Sequence, residues 1–177
     1  MTNTTAKYPR LLAIDPTSRG FAYAIFEGPS SLIDWGLTRA RNGCHSQRIK
    51  RLQRLIEYSS PDVLVLEDCN RIGSPRRSSA RRLIGHAALA SHRNGIRTAR
   101  FTRDAIRRFF AVAGGVRKHE IAITIARAFP ELAPRLPRVR KIWMSEDERM
   151  SIFDAASLAL VYYGARPAQS NQVQEAA

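Results

Sequence analysis

Cysteine is scarce in this 177-residue chain: Cys44 and Cys69 stand alone, far apart, with no C-x-x-C spacing and no paired histidines nearby. That excludes a disulfide-stapled scaffold, speaks against a zinc or dithiol motif, and fits a reducing compartment. Long apolar runs are missing too. No stretch approaches the roughly 20 residues that span a bilayer. The first ten residues lack the hydrophobic segment of a secretory leader, so the expectation is a cytoplasmic protein with no membrane partner. Acidic side chains are the third shortage, 15 Asp and Glu against 29 Lys and Arg, for a formal net charge of +14.

The excess is uneven. Residues 71–142 carry 18 basic and 3 acidic side chains, whereas residues 143–177 carry 2 and 5. A positive field concentrated in mid-chain suits a polyanion, because neutralising phosphates releases condensed counterions. A ribosomal protein, a histone-like protein or a membrane-surface binder would show the same excess, so charge alone names no chemistry.

Hydrophobic content of 44% is enough for one buried core. Residues 10–164 are expected to form a single domain, with a flexible segment 1–9 before it and a disordered, polar tail 165–177 after it. Arg10–Ile14, Gly20–Phe26 and Leu32–Leu37 are short, apolar and separated by turn residues, which predicts a three-strand meander. Ile49, Leu52 and Ile56 recur at helical spacing within a predicted helix Ser46–Tyr58. Val63–Leu66 reads as a strand buried on both faces, and Ile96–Phe101 as a fifth strand. Further helices are predicted over Ser78–His92, Arg103–Val112 with Thr102 as its cap, and Lys118–Phe129. Residues 130–144 read as a linker. Ser145 and Glu148 then have the spacing of a capping box that opens a last helix through Tyr163.

Three acids occupy unusual places. Asp15 ends an apolar strand, Glu67 follows the buried strand, and Asp154 lies inside the apolar helix Ile152–Val161. Ionised carboxylates on core elements are costly unless cations compensate, so three of them suggest a shared site for a hard divalent ion. Each also has a plainer explanation taken singly: Asp15 as a turn starter, Glu67 as a surface residue at a strand end, Asp154 as the ion-pair partner of an arginine.

Ordered segments link these acids to a family. Leu11-Leu12-Ala13-Ile14-Asp15-Pro16-Thr17-Ser18-Arg19-Gly20 resembles the first strand and turn of RuvC-type Holliday junction resolvases. Pro61-Asp62-Val63-Leu64-Val65-Leu66-Glu67 is similar to their fourth strand, and Ser79-Ala80-Arg81-Arg82-Leu83-Ile84-Gly85-His86-Ala87-Ala88 to the helix that follows. Phe101-Thr102-Arg103-Asp104-Ala105-Ile106-Arg107-Arg108, Gly115-Val116-Arg117-Lys118 and Phe153-Asp154-Ala155-Ala156-Ser157-Leu158-Ala159-Leu160 continue the match in order.

The resemblance implies an α/β, ribonuclease-H-like fold with a five-stranded mixed sheet flanked by helices. It also implies a metal-dependent endonuclease that cuts Holliday junctions or other branched DNA as a homodimer. Asp15, Glu67 and Asp154 would bind Mg²⁺, with Mn²⁺ as a substitute, in two-metal hydrolysis. Lys118, also read as catalytic, would hold the scissile phosphate at a helix start. Arg71, Arg76, Arg77, Arg81 and Arg82 would line the DNA path. His119 is read first as a surface histidine.

Two departures stand out. The family carries two acids three residues apart on its last helix, where this chain has Ser151 and Asp154, and the aromatic that follows the glutamate is replaced by Asp68-Cys69-Asn70-Arg71. A ribonuclease H acting on RNA–DNA hybrids and a non-catalytic nucleic-acid-binding protein with a degenerate metal site therefore stand as alternatives. A transposase or integrase core is weaker, for want of an additional DNA-binding domain.

Overall fold

The computed structural model describes residues 8–41, 44–69, 78–141 and 143–165. Strands β1 (Leu11–Pro16), β2 (Gly20–Phe26) and β3 (Leu32–Arg39) form the antiparallel meander, and β4 (Val63–Glu67) and β5 (Arg97–Phe101) extend the sheet in parallel beside β1. The order is β3-β2-β1-β4-β5, a mixed five-stranded sheet. The tight turn after β1 closes through Thr17, whose N–H donates to the Gly20 carbonyl at 3.0 Å and whose hydroxyl accepts from the Gly20 N–H at 2.9 Å. Only glycine fits there, since a Cβ on Gly20 would lie 1.9 Å from the Thr38 carbonyl oxygen.

Strand alternation divides the core in two. Leu12, Ile14, Leu64 and Leu66 face helices α1 (His45–Ser59) and α2 (Ser78–Arg93), which supply Leu52, Ile56, Leu83, Ile84 and Ala87. Leu11, Ala13, Val63 and Val65 face the opposite layer: α3 (Arg103–Ala111), α4 (Lys118–Ala128) and α5 (Met150–Ala165). Helix α5 is apolar nearly all round, which is why it can lie across the sheet as the central element of that layer.

Helix boundaries agree with the hydrophobic periodicity to within a residue or two in most places, and Thr102 caps α3 by accepting from the Ala105 N–H at 3.2 Å. The last helix is a correction. It starts at Met150 and no capping box forms at Ser145; Glu148 instead pairs with Arg39 at 2.9 Å. The turn into α5 is organised by Asp147, whose carboxylate accepts from the Arg149 backbone and guanidinium and whose carbonyl accepts from the Met150 N–H at 2.9 Å. A long-range cation thus outcompeted the local cap. The expected linker also begins with structure, a 3-10 helix over Pro130–Arg135 that buries Leu132.

Candidate active site

Alternation along the strands determines where the acids fall. Asp15 follows Leu11 and Ala13 onto the α5 face, and Glu67 follows Val63 and Val65 onto the same face. The parallel register pairs Ile14 with Leu66, which makes Asp15 and Glu67 lateral neighbours at the same end of the sheet. Asp154 reaches that end from α5. All three are withdrawn from water, at 1%, 7% and 8% exposure.

What joins them is Arg103, the first residue of α3. Its guanidinium donates to both Asp154 oxygens, Nη1 to Oδ1 at 2.7 Å and Nη2 to Oδ2 at 3.2 Å, while Nε lies 3.4 Å from Glu67 Oε1. Burial by itself works against this charge, but Asp154, then Glu67 and Asp15, more than offset it and hold the arginine firmly protonated. Burial likewise works against the Asp154 carboxylate, and Arg103 and Lys118 together hold it below the usual carboxylate range. The ion-pair explanation for Asp154 is therefore true of its contacts, and it coexists with the convergence of the other two acids.

As the side chains stand, no three His, Cys, Asp or Glu among the described residues are grouped to hold a metal ion. The donor chemistry nevertheless fits a hard divalent cation: carboxylates from three separate elements, with neither sulfur nor imidazole among them. A cation is what three such groups require. In this arrangement a guanidinium provides it.

Lys118 opens α4 and reaches the same place, donating to Asp154 Oδ2 at 3.1 Å and to Glu146 Oε1 at 2.6 Å. Two cavities flank the Arg103–Asp154 pair. One, of about 420 Å³, is lined by Asp15, Thr17, Ser79, Lys118, Ser151 and Asp154 among others. The second, of about 340 Å³, holds Glu67, Arg103, Arg107 and Lys118. The acidic residues Glu146, Asp147 and Glu148 also border the larger cavity, and each has a basic partner, Lys118, Arg149 and Arg39 respectively.

Of the expected DNA-path arginines, Arg81 and Arg82 are exposed on the first turns of α2, directly after Ser79 and Ala80 of the larger cavity. Arg71, Arg76 and Arg77 lie outside the described residues. His119 is partly buried, its Nε2 paired with the Pro137 carbonyl oxygen at 2.9 Å. Two residues went unnoticed in the sequence. Arg103 was one of 29 cations, and only its position as first residue after the capping Thr102, at the end of the strand beside Glu67, could have singled it out. Trp143 is 79% exposed, carries the Lys141 ammonium 5.4 Å from its ring centre, and precedes by two residues Ser145 of the larger cavity.

No protein-family model matches the sequence, and no curated protein is detectably similar to it. Solved structures are. RuvC from Thermus thermophilus superposes with a TM-score of 0.60 at 14% identity, covering 86% of this chain and 92% of that one. The T. thermophilus RuvC complex with a Holliday junction substrate gives 0.63 at 12% identity, covering 89% and 94%. The yeast mitochondrial Holliday junction resolvase Ydc2 gives 0.57 at 14% identity, covering 90% and 80%. With its mixed five-stranded sheet and flanking helices, the chain has the ribonuclease-H-like α/β fold of these proteins.

Proposed function

We propose that this protein is a divalent-cation-dependent endonuclease that hydrolyses phosphodiester bonds in branched DNA, four-way junctions foremost. The observation that carries the reading is the gathering of Asp15, Glu67 and Asp154, from two neighbouring strands and the central helix, around one guanidinium beside Lys118. The structural similarity to resolvases, one of them bound to a junction, agrees with it.

Asp15, Glu67 and Asp154 would hold Mg²⁺, with Mn²⁺ as a substitute. The cation would supply positive charge to the phosphodiester oxygens and favour ionisation of water at neutral pH. Lys118 is aimed at the same space from a helix start, where the helix dipole adds to its attraction for phosphate. Glu146, half exposed, is the contact a phosphate would displace from that ammonium. Arg81 and Arg82 would hold the sugar-phosphate backbone, and Trp143 offers a ring on which an unpaired base can stack. Two symmetric cuts across a junction need two active sites, so the working form would be a homodimer.

Arg103 among the acids and Ser151 in the cavity lining favour one second reading, a nucleic-acid-binding protein that does not cut. Labelled four-way junction, fork, duplex and RNA–DNA hybrid, each incubated with Mg²⁺ or Mn²⁺, separate the possibilities. Nicked junctions support the proposal. Cleaved hybrids with intact junctions would move the assignment to a ribonuclease H, and tight junction binding without any cut would favour the second reading.

A further inference from the structure

Arg103 has a consequence for how many metal ions the site can take. Its side chain springs from the first residue of α3, behind the Thr102 cap, and its guanidinium bridges Glu67 and Asp154. A divalent ion shared by those two carboxylates would have to occupy the volume the guanidinium fills. On the other side of the pair the situation differs, since the larger cavity reaches Asp15, Asp154 and Ser151 and is not lined by Glu67 or Arg103.

We infer that Arg103 is a built-in cation standing in for a second divalent ion, so that the site takes up one ion per chain, on the Asp15 and Asp154 side. This rests on the metal-binding reading proposed above and narrows it. Charge argues the same way. Asp147 and Glu148 each have a basic partner among the described residues, Arg149 and Arg39, so they are poorly placed to support a further ion. Ser151, one helical turn before Asp154, adds a neutral oxygen to the cavity rather than another carboxylate. A guanidinium is suited to the substitution: it is permanently charged, presents five N–H donors in a planar fork, and can address carboxylate and phosphate oxygens together. Arg103 thereby becomes a positioning residue for Glu67 and Asp154, and it also lines the smaller cavity.

Mn²⁺ titration of the metal-free protein, alone and on a four-way junction, tests this by calorimetry and electron paramagnetic resonance. One ion per chain is expected, with no spin coupling between neighbouring ions. Arg103→Met should admit a second ion and give a spin-coupled pair, while Arg103→Lys, which keeps the charge, should remain at one. Two ions in the unaltered protein would overturn the inference while leaving the metal site intact. A single ion in both the unaltered protein and a folded Arg103→Met would overturn it as well. No uptake at all would remove the metal-binding reading beneath it. The count in the unaltered protein stands even if Arg103→Met fails to fold.

Discussion

Arg103 and Asp154 form a forked ion pair, with donor–acceptor distances of 2.7 and 3.2 Å, between the first residue of one helix and a buried position in the second turn of another. Paired carboxylate and guanidinium of this geometry are strong when both are withdrawn from water, and removing one partner leaves the other uncompensated.

Arg103→Met should therefore cost about 2–3 kcal/mol at neutral pH. The sign with pH follows from Asp154, whose native pKa is lowered despite its burial because Arg103 and Lys118 face it. A carboxylate held below its unfolded value stabilises the fold at neutral pH and loses that contribution as the pH falls through the native value. The deficit of Arg103→Met should shrink once the pH drops below the ordinary carboxylate range of about 4. Urea midpoints at pH 7 and pH 3 measure it; an equal deficit at both would show that the pair contributes by packing alone.

Lys118→Ala should lower the junction cleavage rate by about 100-fold, as expected when one donor to a reacting phosphate is lost. Glu146→Gln should act in the opposite direction on binding, because it removes the negative charge that meets the Lys118 ammonium at 2.6 Å. Fluorescence anisotropy on a labelled junction in the absence of metal reads the second effect, and single-turnover cleavage the first.

Charge and stacking contributions to DNA binding separate by salt. Arg81→Ala and Arg82→Ala should each reduce the slope of log Kd against log salt by about one where a phosphate contact is lost. Trp143→Ala should weaken binding by about 1–3 kcal/mol with the slope unchanged, since a base stacked on indole releases no counterion. A reduced slope in Trp143→Ala would mean that the ring acts through its cationic neighbours.

Gly20→Ala should destabilise the protein by about 1–3 kcal/mol or more, because the added Cβ would overlap the Thr38 carbonyl 1.9 Å away. The turn it closes follows Asp15, so a folded variant should also lose activity. Thermal melting and cleavage on the same preparation would show whether the two losses travel together.

Much of the sheet was legible because β1, β2 and β4 are short, apolar and bounded by turn residues. Period-two alternation also carries Asp15 and Glu67 to one face once the parallel register is known. The register itself was not readable from the residues alone, and it is what makes those two acids neighbours. Helix α5 was readable through its apolar run, but its start was not: the Ser145–Glu148 spacing is a local signal, and Glu148 answers instead to Arg39, more than a hundred residues away in sequence. Arg103 was invisible for a related reason. In a chain with 29 basic residues, composition cannot tell a solvated arginine from one enclosed by three carboxylates.

DNA cleavage by the acidic end of the sheet with the help of a divalent ion is the proposal on which the predictions above depend. The most direct measurement is cleavage of a labelled four-way junction by the protein and by Asp15→Asn, with Mg²⁺ and with chelator. Mg²⁺-dependent nicking that is abolished in a folded, junction-binding Asp15→Asn is the predicted result. Nicking that persists in Asp15→Asn, or that is indifferent to the chelator, would contradict it.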